Sequence, residues 1–229
     1  MSIEVNQKVR ADLTNKLAFK AKLLSYLSIF KTEASFFLAF TMLMNLVFVP
    51  LQLFAPIYAH QQISGGMNLY ANLQISMGAG AILGGLSLTF ISLGSIKSMR
   101  YLTLFLYLFS SGFYFLFSLN FNFVLSLISV FMMNCFMGAG NVLVLSLYQK
   151  SVKQTQLAFL ISCVVFSSVA ISPLALFLAG LFTAIFPLAW VIIAYAGASV
   201  LVSVFALFLL QFISKSELPS LTKEIIHHA

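Results

Sequence analysis

Between Ala34 and Ser214 the chain contains no aspartate and no glutamate, and the four basic residues of that stretch, Lys97, Arg100, Lys150 and Lys153, fall in gaps between apolar runs. An ionisable group inside a span is the usual mark of a proton relay, so the chain by itself carries no such machinery. The same lack removes most membrane enzymes. A carboxylate metal site has no ligands, and His60, His227 and His228 lie in an outer loop and the tail. An intramembrane serine protease needs a histidine base within a span, and no span has one. No catalytic residue, metal site or cofactor is therefore expected, and the chain is not read as an enzyme.

Charge is scarce throughout, at 7% of residues, where a soluble domain carries roughly 25%. With 61% hydrophobic residues and a mean hydropathy of +1.04, this is the composition of an integral membrane protein. No polar block is large enough for a soluble domain, so the 229 residues read as one multi-span bundle. The net charge of +7 does not point to nucleic acid, because the basic residues sit at the ends of apolar spans and not on a folded polar face. Only two cysteines occur, Cys135 and Cys163, both inside apolar runs, which excludes a disulfide framework and leaves them as small core residues. A secretory leader is not expected either, since a polar, basic arm precedes the first apolar run.

Six apolar runs are present, at 35–58, 69–93, 101–119, 123–148, 157–181 and 186–212. Each is long enough to cross a bilayer as a helix, which takes roughly 20 residues. The joins at 59–68, 120–122 and 182–185 hold no Lys or Arg, so all 12 basic residues fall on one side, and the positive-inside rule puts both termini in the cytoplasm. A basic arm at 1–33 precedes the six-helix membrane domain at 34–213, and a tail follows at 214–229. In the arm, Leu13, Leu17, Leu24 and Leu27 recur at helical spacing among lysines, which fits either an amphipathic helix on an anionic membrane surface or a solvated linker.

Within the spans the informative residues are amides, glycines and prolines. Asn134 and Asn141 are two helical turns apart with Gly138 between them, and Asn45 and Gln52 repeat the spacing in the first span beside Pro50 and Pro56. Unpaired amides in an apolar medium cost on the order of 1–3 kcal/mol, so such faces look into a protein interface or a wet cavity. Together with Gln74 these amides are the candidate substrate-binding residues, lining a path for a hydrogen-bonding or amphipathic solute. The alternative is that they bond across helices and hold the bundle together. Gly78, Gly80, Gly84 and Gly85 in the second span form a helix-packing face, joined by Gly138, Pro173 and Gly180. A nucleotide loop is excluded, because this glycine run is embedded in a span and has no preceding strand. The third span, lined with Phe and Leu, reads as a peripheral, lipid-facing helix. Trp190 suits the interfacial aromatic belt.

The character of the spans follows a three-plus-three rhythm: amides in one and four, Gly, Pro or Ser in two and five, plain apolar residues in three and six. Inverted triplets of this kind build many transporters. The run NLVFVPLQLFAPIYA, the run GAGAILGG, and MGAGNVLVLSLYQKSV leading into SSVAISPLALFLAG resemble the C-terminal six-helix half of a major facilitator superfamily transporter, nearest the macrolide and siderophore exporter branch. The resemblance covers roughly residues 20–212. It departs after Gln149, where KSVKQTQLAF stands in place of the branch's proline and Arg-Gly-Arg-like turn. What it implies is export of a small drug-like or siderophore-like solute across a bacterial inner membrane. The implied cavity forms between two halves, so a second copy or a separate partner half is expected. The other expectation is a non-transporting remnant or a membrane interaction subunit.

Overall fold

The computed structural model describes residues 33–61, 66–91, 94–119 and 122–227, with side chains to Phe212. The basic arm, all but its last residue, lies outside the described residues, as does any statement on its amphipathic helix. Among the described residues the protein is all helix: α1 (Glu33–Phe48), α2 (Leu51–Gln61), α3 (Gly66–Ser87) with a 3-10 turn at Leu88–Phe90, α4 (Ile96–Ser118), α5 (Phe123–Ser151), α6 (Gln154–Ile185) and α7 (Leu188–His227). Six stretches are long and apolar enough to cross a membrane: Ala34–His60, Met67–Phe90, Ile96–Ser118, Phe123–Ser151, Gln154–Ile185 and Leu188–Phe212. They coincide with the six apolar runs of the sequence, because a backbone without water must satisfy its polar groups within each segment and only the helix does so.

α1 and α2 are one span broken at Val49–Pro50. Pro50 has no N–H to donate, and its ring disfavours continuation of the preceding turn. The chain resumes at once, with Leu53 and Phe54 both donating to the Pro50 carbonyl at 2.9 and 3.0 Å. Pro173 has no such effect, and α6 runs through it from Gln154 to Ile185.

The closest helix pair is α3 with α5. A Cβ on Gly80 would overlap the Phe131 carbonyl, one on Gly84 the Cys135 carbonyl, and one on Gly138 would lie 2.5 Å from the Ala81 carbonyl oxygen. The two backbones are in contact there, and only glycine leaves the room. Gly85 makes an ordinary contact with Val142, whereas Gly78 and Gly180 face open space.

α4 packs on α5 and α7 and is far from peripheral. Thr103, Tyr107, Ser110, Ser111, Tyr114 and Ser118 are buried, and Phe105, Phe109 and Phe115 are exposed. Six of the nine buried residues of α4 carry hydroxyls, the others being Met99, Leu104 and Phe117, and Thr103, Tyr107, Ser110 or Ser111, Tyr114 and Ser118 recur three or four apart on one face of the helix. Ser110 donates to the Met133 carbonyl on α5 at 2.8 Å, and Ser111 shares a 3.1 Å bond with Ser203 on α7. Counting Phe and Leu as a lipid-facing signature hid this face, because the hydrogen-bonding residues are the ones turned inward.

Aromatic pairs line the core between the first and third spans. Phe40 meets Tyr107 edge-on with ring centroids 5.0 Å apart, Phe48 stacks on Tyr114 at 5.5 Å, and Tyr58 tilts against Phe117 at 5.2 Å. The partners ascend together along both spans, so these run parallel, as two spans separated by one crossing must. At one end of the bundle Tyr58 shares a 2.9 Å hydrogen bond with Ser126. At the other, Lys150 Nζ reaches Met99 Sδ at 3.4 Å, which brings the two charged joins, 97–100 and 150–153, to the same end.

α6 is the loosest element. Of its 32 residues only Leu160, Ser167, Ala175 and Ala179 are buried, and Val165, Phe166, Val169, Leu174 and Phe177 are exposed. Cys135 and Cys163 are free thiols, each partly buried.

Candidate functional site

Two of the amides singled out in the sequence, Asn45 on α1 and Asn141 on α5, meet at one pocket of about 280 Å³ between α1, α5 and α6. Thr41, Tyr148 and Ser168 complete its polar wall, and Val144, Leu145, Ile161 and Val164 its apolar wall. The helical repeat explains the set. Thr41 and Asn45 are one turn apart on α1; Asn141, Leu145 and Tyr148 occupy successive turns of α5; and Val164 and Ser168 do the same on α6. Among the described residues no charged side chain lines the pocket.

Hydrogen bonds orient both amides. Asn45 Nδ2 donates to Ser168 Oγ at 2.9 Å, and Ser168 spends its own proton on the Val164 carbonyl at 2.9 Å. Ser168 is therefore the acceptor, and Asn45 retains its Oδ1. Tyr107 on α4 donates to Asn141 Oδ1 at 2.5 Å, a length that belongs to O–H···O and not to N–H···O pairs. Asn141 thus retains its Nδ2 amide hydrogens. Tyr107 is fixed in turn by Phe40 and by Gly140, where a Cβ would come within 2.9 Å of the ring.

Tyr148 is 2% exposed, and its hydroxyl has no hydrogen-bond partner. Thr41, its neighbour in the pocket wall, already donates to the Phe37 carbonyl at 2.7 Å. The Thr41 oxygen can still accept, and the Tyr148 hydroxyl is enclosed in the wall beside it, out of reach of solvent.

The other sequence-derived residues lie elsewhere. Asn134 is buried under Gly80 in the α3–α5 contact and donates to the Val130 carbonyl, one turn back on its own helix, at 2.9 Å. Two turns separate Asn134 from Asn141, about 10 Å along the axis, so a shared face does not make a shared site. Gln52 is exposed on α2, beyond the Val49–Pro50 break. Gln74 is exposed on α3 and donates to Tyr70 on the same helix at 2.9 Å. Sequence reasoning passed over Thr41, Tyr107, Tyr148 and Ser168. Two of them carried a legible signal: Thr41 stands four residues before Asn45 and Tyr148 seven after Asn141, each on its amide's face.

A second, larger pocket of about 530 Å³ lies between α1, α6 and α7, with Leu46, Val47, Phe182, Trp190 and Tyr195 in its wall. Among the described residues that line it, Trp190 and Tyr195 alone carry a polar side-chain atom. It offers shape and apolar surface but little hydrogen-bonding chemistry.

No protein-family model matches the chain, and searches of curated proteins and of solved structures return no match either.

Proposed function

We propose that this chain is a half-size transporter of the major facilitator type that moves a small, uncharged or amphipathic solute across a membrane and works with a second half. The observation that carries the proposal is the meeting of Asn45 and Asn141, from the first and fourth spans, at one pocket with polar groups still available for bonding.

A two-triplet architecture is supported by the helix neighbours. Exchange of the first three spans with the last three turns most contacts into contacts: the second span packs on the fourth as the fifth packs on the first, the third on the fourth as the sixth on the first, and the third on the sixth, whereas the contact of the fifth with the sixth has no equal between the second and third. The basic residues around Lys97, Arg100, Lys150 and Lys153, gathered at one end, favour an orientation with that end and both termini in the cytoplasm. A bacterial inner membrane is the setting that fits the family reading.

The test is flux. The chain is extracted from its own membrane with whatever partner accompanies it, its stoichiometry is read by native mass spectrometry, and it is reconstituted in liposomes loaded with radiolabelled chloramphenicol, a neutral amphipathic solute. Release above that from empty liposomes, lost in Asn45→Leu, is the expected result. A strictly monomeric chain that releases nothing, alone or with its partner, would sink the reading.

One observation favours the other class, a membrane interaction subunit without transport. Asn134 bonds only within its own helix, and the α3–α5 seam is closed by Gly80, Gly84 and Gly138, so that amide serves packing alone.

A further inference from the structure

We propose that the pocket between α1, α5 and α6 selects solutes bearing a neutral group that both donates and accepts hydrogen bonds, a carboxamide or lactam edge, through Asn45 Oδ1 as acceptor and Asn141 Nδ2 as donor. The inference rests on the transport reading for its biological meaning, but the recognition chemistry stands on the geometry of the site.

The bonds already made determine what is left. Ser168 takes one amide hydrogen of Asn45, and its own proton is committed to Val164, so Asn45 keeps its carbonyl oxygen and one N–H. Tyr107 takes one lone pair of the Asn141 carbonyl, so both amide hydrogens remain there. The pocket therefore presents an acceptor from α1 and donors from α5, and a carboxamide presents the complement of both.

Charge is disfavoured on both sides of neutrality. Among the described residues no Asp, Glu, Lys, Arg or His lines the pocket, so a carboxylate or ammonium entering it would shed water with no counter-ion in the wall to replace it. Asn45 is half-buried and Asn141 exposed at the pocket mouth, so an analogue that lacks the donor or acceptor loses the matched bond while water can still reach the amide left behind. At about 280 Å³ the space suits a small ring or a short side chain carrying the amide.

The experiment measures binding and not flux. The full-length protein in lipid nanodiscs is titrated by saturation-transfer-difference NMR with benzamide, benzoate and benzylammonium, which share a ring and differ in the polar group. Benzamide is expected to saturate, with the two ions at least about tenfold weaker. Asn141→Leu should weaken benzamide by about tenfold. Asn141→Asp keeps an oxygen for the Tyr107 hydroxyl and removes the amide hydrogens, so it should also weaken benzamide by about tenfold. Tyr195→Phe, in the apolar pocket, should leave it unchanged. Equal binding of all three probes, no binding of benzamide at millimolar concentration, or benzamide binding untouched by both Asn141→Leu and Asn141→Asp overturns the proposal. Selective benzamide binding without chloramphenicol flux would remove the transport reading and leave this one. Flux without benzamide selectivity would do the reverse.

Discussion

Asn45 and Ser168 are joined by a 2.9 Å hydrogen bond between α1 and α6, and it ties α6 to the first span. α6 buries little else, so this bond has more influence on its docking than an amide–hydroxyl pair has in a well-packed helix. Replacement of Asn45 with Leu or Ser168 with Ala should each lower stability by about 0.6–2 kcal/mol, the range for interhelical hydrogen bonds in membranes. The double variant should cost less than the sum, because both changes delete the same bond. Unfolding in mixed micelles monitored by circular dichroism checks it; fully additive losses would mean that the pair is not coupled.

The glycines divide into two kinds. Gly84→Ala puts a methyl group into the Cys135 carbonyl and must push α3 from α5, a misfit of about 1–3 kcal/mol or more. Gly78→Ala meets open space and should be neutral or slightly stabilising. The same unfolding measurement on the two variants separates them, and equal effects would contradict the close approach.

Gathering of the basic joins at one end predicts an accessibility pattern. With Cys135 and Cys163 replaced by serine, Lys97→Cys and Lys153→Cys should react with a membrane-impermeant maleimide only from the cytoplasmic side of inverted vesicles, and Pro187→Cys only from the opposite side. Labelling of positions 97 and 187 from the same side would contradict the alternation of spans.

Trp190 is the sole tryptophan, 68% exposed at the start of α7 and in the wall of the apolar pocket. Aromatic belts sit at headgroup depth, so its fluorescence should be quenched more by lipids brominated near the glycerol than by lipids brominated at the chain end. Stronger quenching from the chain end would put α7 at another depth.

The sequence by itself determined the number of the apolar stretches and their places to within a few residues, since twenty-residue apolar runs separated by short polar joins form helices in a membrane, although α4 begins at Ile96 and takes in Lys97 and Arg100. It also marked Gly80, Gly84, Gly138, Asn45 and Asn141 as unusual, because each is out of place in a lipid-facing helix. What it did not contain was which of these residues meet. The periodicity of a helix tells which residues share a face, but not what that face is turned toward or how high a partner stands. Asn134 and Asn141 share a face, yet α3 covers one with a glycine seam while the other reaches Tyr107 and the pocket. The third span's inward hydroxyl face and the bond from Asn45 to Ser168, 123 residues away, were settled by packing alone. Tertiary structure decides such pairings because in a bilayer the hydrophobic effect does not order helix against helix; close backbone approach and the matching of buried donors with acceptors do.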